Sequence, residues 1–265
     1  MDLGVPLKRM DDRIITSGEF YKEVEALPPE KRYSFGISKI DYLTEGFTHG
    51  DLVVVSGFTG HGKTSICQTI SYNLGQKDVL AMWFSFELSA RQFFNKYKGK
   101  TVPLFFMPKK NKPYDLEWID EKIAEGVTDH KVKVVFIDHL HYVVPMLGGQ
   151  HKKSDMIGDT MRQLKQMAVK YNIVIFLMAH TKQPKDQLTP TLGDLRDSSF
   201  VGQESDAVYI IHRPAKRGKR DEFEDYNIFT IVKQRHTGVI GKAIRLEMHN
   251  KMFYDEIDSE NERAL

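Results

Sequence analysis

Residues Gly57 to Thr64 read G-F-T-G-H-G-K-T, a full match to the phosphate-binding pattern G-x-x-x-x-G-K-[ST]. Gly57, Gly60 and Gly62 let the backbone curl tightly, so that successive N–H groups point inward and form a nest for an anion. Lys63 reaches the β- and γ-phosphates, and the Thr64 hydroxyl can join the coordination shell of Mg²⁺. Phe58, Thr59, His61 and Ser65 complete the candidate cradle. The flanks fit the motif. Asp51-Leu-Val-Val-Val-Ser56 is a β-branched run entering the loop, and Ile66, Ile70 and Leu74 recur at helical spacing after it. Strand, loop and helix N-terminus in that order imply a nucleotide-binding protein whose ligand is ATP or another NTP with Mg²⁺.

Outward from the loop, apolar β-rich runs lie at 51–56, 79–86, 132–138, 172–179 and 206–212. Helical segments separate them: one after Lys63, one near 89–98, one near 114–125 and one from about Ser154 to Tyr171. The alternation predicts an α/β fold with a central, mainly parallel sheet flanked by helices. After Pro214 the pattern changes. Tyr226 to Val232 and Val239 to Met248, joined through His236-Thr-Gly238, predict a C-terminal β-hairpin extension. Ahead of the sheet, Thr16 with Glu19 forms a capping box, and Phe20, Val24 and Leu27 give the following helix an apolar stripe before Pro28 and Pro29 end it. That stripe packs either on its own domain or on a neighbouring subunit. The expected division is a lead-in over 1–34 and one α/β domain over 35–265.

Composition narrows the classes. With 38 Lys and Arg against 36 Asp and Glu, the formal charge of +2 names no partner, so any nucleic-acid surface must be local. The single cysteine, Cys67, excludes an internal disulfide and a Cys-based zinc site. It fits a reducing compartment: cytoplasm or nucleoid, including that of a phage-infected host, or a mitochondrion. No apolar run approaches the length of a signal peptide or a membrane span, so no membrane partner is expected.

In an open parallel sheet, ligands bind beyond the carboxyl ends of the strands. The run Met82–Phe86 ends at Glu87, Val134–Ile137 at Asp138, and Ile173–Ala179 at His180. Acids at strand ends often serve as helix caps or solvated turns, but the adjacent phosphate loop favours chemistry here. Asp138 is the candidate metal acid with Thr64, Glu87 the candidate base for an attacking water, and His180 a candidate γ-phosphate contact. Lys233 and Arg235 close the strand before the hairpin turn. They are either two solvated cations or an arginine finger reaching the nucleotide of the next subunit in a symmetric ring or filament. Basic residues also gather on two loops: Lys152 and Lys153 after the third strand, then Lys182, Gln183 and Lys185 with Arg196 after His180. Facing one axis, these loops would track a nucleic-acid backbone without reading its sequence.

Taken together, these motifs make the chain recognisable. It resembles the RecA-like motor domain of DnaB-type hexameric replicative helicases, nearest the phage primase–helicase and mitochondrial Twinkle branch. The resemblance covers about Phe35 to Tyr254. It rests on the phosphate loop, S-F-E-L-S at 85–89, F-I-D-H-L at 136–140, A-H-T-K-Q-P at 179–184, D-L-R-D-S-S at 194–199, Q-E-S-D-A-V at 203–208 and K-Q-R-H-T-G at 233–238. It implies a RecA-like P-loop NTPase that forms a ring, usually a hexamer, and unwinds DNA at the expense of ATP. Within that likeness, Lys63, Glu87, Asp138 and His180 act in cis, and Lys233 and Arg235 in trans. Lys182, Gln183 and Lys185, with Arg196, Ser198 and Ser199, line the channel for single-stranded DNA. Arg213 and His249 pack the nucleotide base, and residues 16–27 match the linker helix that clips subunits together. Primase, polymerase or loader partners follow from the same likeness. Two positions depart from the bacterial pattern: His180 replaces glutamine, and Asp197 stands where glycine is usual. Two other readings stay open, a RecA- or KaiC-like ATPase without unwinding and a non-catalytic nucleotide-binding scaffold.

Overall fold

The computed structural model describes residues 14–145, 153–181, 193, 198–217 and 222–255, with the side chains of Lys153, Ser198 and Ser199 outside the description. The chain divides into two compact units, Met1–Lys31 and Arg32–Leu265. In the first, helix α1 (Ser17–Glu25) starts at the expected capping box: Glu19 N–H donates to Thr16 Oγ1, and the Glu19 carboxylate accepts from Thr16 N–H. Phe20, Val24 and Leu27 are exposed.

The second unit opens with a ribbon of β1 (Arg32–Tyr33) and β2 (Phe47–Thr48), antiparallel around helix α2 (Ser38–Thr44). Asp41 ties this turn together by accepting from the backbone N–H groups of Phe35, Gly36 and Ile37. Then follow β3 (Leu52–Gly57), α3 (Lys63–Gly75), β4 (Ala81–Ser85), α4 (Ala90–Phe94), β5 (Phe105–Phe106), α5 (Leu116–His130) and β6 (Val134–Asp138). The chain continues through α6 (Lys153–Lys170), β7 (Val174–His180), α7 (Ser198–Glu204), β8 (Ala207–His212), β9 (Tyr226–Gln234), β10 (Lys242–His249) and β11 (Met252–Tyr254).

One nine-stranded sheet has the order β11-β10-β9-β8-β3-β7-β6-β4-β5. From β8 to β5 the pairs are parallel, and β9, β10 and β11 extend the sheet antiparallel. Both faces of the parallel part are covered, which is why these strands read as unbroken apolar runs. Val53 and Val55 pack with Ile66, Ile70 and Leu74 of α3 on one face. Leu52 and Val54 pack with Ile157, Met161 and Leu164 of α6 on the other. Trp83 stacks on Phe136 at 4.5 Å and donates its indole N–H to Ser71 Oγ, so its single polar group is satisfied in the core.

The structure adds elements that periodicity does not announce. β5 and β11 are edge strands of two and three residues, too short to carry an alternation. The segment near 89–98 is not one helix: α4 ends at Phe94 and a 3₁₀ turn takes Asn95–Tyr97. The predicted helix near 114–125 runs on to His130, where Lys131 in the left-handed region ends it.

Candidate active site

The strand order puts the ends of β3, β7, β6 and β4 side by side. Gly57 pairs with His180, and Ser85 with Asp138. A cleft of ≈ 520 Å³ opens above them, bordered by the loop 59–65, Glu87, Lys96, His180, Arg213 and Asn227.

The loop conformation depends on its glycines. A Cβ on Gly57 would lie 2.1 Å from the Ile211 carbonyl oxygen, and Gly60 and Gly62 have φ of 79° and 100°. His61 pins the loop from behind. Its Nδ1 accepts from Arg213 N–H at 3.0 Å, and its carbonyl accepts from Asn227 Nδ2 at 2.8 Å. Burial, helped by His212 and Lys63, pushes the His61 imidazole down to about 4, so it stays neutral and acts as an acceptor.

Lys63 donates to the carbonyl oxygens of Gly57 and Phe58, both at 3.0 Å. Burial lowers its ammonium to about 8, against the opposing pull of Asp138 and Glu87. It is therefore a cation at neutral pH, held by neutral partners. Thr64 Oγ1 donates to Asp138 Oδ2 at 2.8 Å. Burial raises the Asp138 carboxyl to about 6, with the Thr64 bond opposing and the Glu87 charge adding to the rise. Its second oxygen, Oδ1, is buried without a hydrogen-bond partner. A hydroxyl beside a carboxylate with one oxygen uncommitted is a hard-oxygen donor set, and it fits a divalent ion such as Mg²⁺.

Glu87 is part-exposed, with Oε2 3.8 Å from His139 Nε2 and 3.9 Å from His180 Nε2. The donor atoms of this trio all lie within 4.8 Å of one another, close enough to raise the question of a metal. The tautomer answers it for His139. Its Nδ1 accepts from His141 N–H at 3.3 Å, which leaves the ring proton on Nε2, facing the carboxylate. Burial and the neighbouring His180 and His141 push this ring down to about 3, so it is neutral. It offers Glu87 a donor, not a lone pair. His180 also reaches back to the loop, with Nδ1 3.4 Å from Thr59 Oγ1.

The structure thus brings Lys63, Thr64, Glu87, Asp138 and His180 to one cleft. Thr59, Gly60, His61, Gly62, Ser65 and Arg213 also border it, whereas other sequence candidates fall elsewhere. Arg213 borders the cleft with its guanidinium bonded to the Glu224 carbonyl at 2.7 Å and 3.1 Å. His249 does not border it; Met248, one residue earlier, does. Neighbours on a strand face opposite sides, and Met248 shares its side of β10 with the buried Ile244 and Leu246. Lys233 and Arg235 are remote from their own phosphate loop. Gln234 pairs with Ala207, and Ala207 with Val53, so both cations sit where β3 begins rather than where it ends. Lys233 donates to the carbonyls of Gly202 and Ser205, and Arg235 pairs with Asp206 at 2.7 Å with its side chain about half exposed. Lys152, Lys182, Gln183, Lys185 and Arg196 lie outside the described residues. Of Lys153, Ser198 and Ser199 only the placement is known, at the starts of α6 and α7.

Three residues escape the sequence reading. His139 was legible in principle, since it follows Asp138 directly. Lys96 and Asn227 carry no motif and enter the cleft from the 3₁₀ turn after α4 and from β9. Cys67 is buried in the core, where burial raises its thiol well above the ordinary range, so it is inert.

Comparison with known proteins shows what the chain as a whole is similar to. The family described as DnaB-like helicase C terminal domain matches residues 33–102 and 100–255. A probable replicative DNA helicase of Trieres chinensis is 23% identical over 84% of this chain and 57% of its own length. The replicative DNA helicase DnaB of Mycoplasma genitalium is 24% identical over 79% of this chain and 53% of its own length. The chain therefore spans about half the length of the curated relatives it matches. A solved structure of a DnaB-like replicative helicase, described with its primase interactions, superposes with a TM-score of 0.74 at 18% identity, over 92% of this chain and 68% of that one. At that identity the likeness shows the fold alone: a mostly parallel α/β sheet with antiparallel strands added at the C-terminal edge.

Proposed function

The chain belongs to the DnaB-like helicase C-terminal domain family, and on that premise we propose that it is the ATP-driven motor of a ring-shaped replicative DNA helicase. The observation that carries this is the meeting of phosphate loop, metal acid and base at adjacent strand ends, joined by the Thr64–Asp138 hydrogen bond of 2.8 Å. A scaffold that only held nucleotide would not need a carboxylate aimed into the cleft beside a second, buried one.

In this proposal Lys63 leaves the Gly57 and Phe58 carbonyls for the β- and γ-phosphates, exchanging neutral acceptors for charged ones. Thr64 and Asp138 would hold Mg²⁺, which when bound neutralises phosphate charge. Glu87 orients the attacking water and takes its proton, with the neutral His139 ring flanking the carboxylate at 3.8 Å. His180, paired with Gly57 and touching Thr59, would contact the terminal phosphate and pass its loss to the segment that follows β7. Arg213, on the far side of the loop, borders the space left for the base.

Arg235 stands at the opposite end of the sheet from its own loop, so as an arginine finger it would serve the nucleotide of a neighbouring subunit. That fits ATP sites between the subunits of a ring, which the resemblance makes a hexamer. In the single chain Arg235 rests on Asp206, and Asp206 also holds Lys165 at 2.6 Å, so releasing the arginine leaves no unpaired acid. The exposed stripe of α1 is proposed as the linker that docks on the next subunit. The basic segments around 152–153, 182–185 and 196–199 would grip the DNA backbone and move with hydrolysis. Primase, loader or polymerase would be further partners. No helix among the described residues is long and apolar enough to cross a membrane.

The test is ATP hydrolysis with and without single-stranded DNA, read beside particle mass and strand displacement on a forked duplex. DNA-stimulated turnover by a ring that opens the fork supports the motor. Turnover without displacement supports the regulatory or recombinase reading, and tight nucleotide binding without turnover the scaffold.

A further inference from the structure

Lys96 is the cation in the cleft that no motif announces. It sits in the 3₁₀ turn Asn95–Tyr97, and its neighbours fix that turn firmly. Phe93 and Tyr97 are buried in the core, Gln68 of α3 donates to the Phe93 carbonyl, and Lys251 donates to the Asn95 carbonyl at 2.7 Å. The ammonium is thus delivered to one place, where it donates to Ser65 Oγ at 2.8 Å. Burial lowers its pKa and the nearby Lys251 lowers it further, against the opposing pull of Asp138. Ser65 is a neutral hydroxyl. Asp138 attracts the ammonium from a distance, but among the described residues its hydrogen bond goes to a hydroxyl and not to a carboxylate. A part-buried ammonium so placed, against the first turn of a helix that follows a phosphate loop, is arranged for an anion that comes from outside the chain.

Direction along the loop says which part of that anion it meets. Thr59 touches His180, and His180 lies beside Glu87, so this end of the loop belongs to the phosphate that is transferred. Ser65 lies past Lys63 and Thr64, at the other end. We propose that Lys96, seated by Ser65, is a nucleotide-affinity residue that contacts the phosphates nearer the ribose, which remain on the nucleotide after hydrolysis. Lys96 therefore holds di- and triphosphate alike, in contrast to His180. This rests on the nucleotide-site assignment above and adds a residue and a phosphate preference to it.

The experiment measures equilibrium binding of a fluorescent ADP and of a non-hydrolysable ATP analogue to the wild-type chain and to Lys96→Met, Lys96→Arg, Ser65→Ala and Lys63→Ala. Losing a charged hydrogen bond should raise Kd for Lys96→Met by roughly ten- to a hundredfold. The factor should be the same for both nucleotides, and Lys96→Arg should recover most of it. In steady state KM for ATP rises by that factor while kcat falls far less. Unchanged ADP affinity in a folded Lys96→Met protein overturns the assignment, as does a loss confined to the ATP analogue. If Lys96→Met does not fold, Ser65→Ala decides: an equal, smaller weakening of both nucleotides supports the role, and no change refutes it. A wild-type chain that binds neither nucleotide, with Lys63→Ala indistinguishable from it, overturns the nucleotide site as a whole, an outcome distinct from failure of Lys96 alone.

Discussion

The same sheet carries buried charge at both of its ends, and the two ends treat it differently. Where β3 and β8 begin, Asp206 accepts from the Leu52 N–H at 2.9 Å and pairs with both Lys165 and Arg235. Asp51, beside it, accepts from Thr48 N–H and meets His236 Nε2 at 2.9 Å. Where β3 and β6 finish, Asp138 has a bare oxygen, and among the described residues Lys63 hydrogen-bonds to carbonyls and Lys96 to a hydroxyl. Satisfied charge at one end fixes the strands in register. Unsatisfied charge at the other is held in place by the rigid core for a ligand to complete. Burial alone therefore does not mark function; here the uncommitted groups count because they meet at one cleft beside the phosphate loop.

The sharpest way to break this contrast is Arg235→Ala, at a residue of the paired end assigned to chemistry. In the assembled particle its turnover should fall by roughly 10³- to 10⁵-fold with nucleotide binding retained. Full hydrolysis by the variant would return Arg235 to a purely structural role. Glu87→Gln should cost roughly 10²- to 10⁴-fold in kcat while leaving the melting temperature close to wild type, since the carboxylate is part-exposed. A variant that melts early but still turns over would reverse that expectation.

Stability should respond the opposite way at the two ends. Asp206→Ala leaves the Leu52 amide without its acceptor and Lys165 with the Gly50 carbonyl but no carboxylate, at a cost of about 3–5 kcal/mol, read as a clear drop in thermal midpoint. Asp138→Asn should instead stabilise the nucleotide-free protein at pH 8 by up to roughly 2 kcal/mol while abolishing turnover. The sign follows from the carboxyl being raised to about 6 from 3.8. The folded state takes up the proton more readily than the unfolded chain, so ionising Asp138 weakens the fold as pH rises through about 6. The gain in Asp138→Asn should accordingly vanish below about pH 4, under the ordinary value of 3.8. Melting curves across pH 4 to 8 check it, and a lower midpoint for the variant at pH 8 would contradict the unpartnered-charge account.

Much of this architecture was legible before any coordinates. The loop 57–64, the apolar runs that became β3, β4, β6, β7 and β8, and the capping box at Thr16 are local patterns. Their physics lies within one strand or one helical turn. The residues at the strand ends, Glu87, Asp138 and His180, followed from those runs by simple continuation. What failed to show was whatever depends on a neighbour distant in sequence. Met248 rather than His249 borders the cleft because of a strand's facing, set by its register against β9 and β11. Lys96 meets Ser65 because Phe93 and Tyr97 anchor its turn in the core.

The amino-acid order by itself determined that this chain builds a phosphate cradle on a mostly parallel α/β sheet, with acids waiting at the next strand ends. Only the tertiary structure decided that Arg235 stands at the far end from its own loop, that His139 turns a proton toward Glu87, and that Lys96 joins the cleft. The reason is range: backbone preference and apolar period act over a few residues, whereas the partner of a buried charge is chosen by which strands lie side by side.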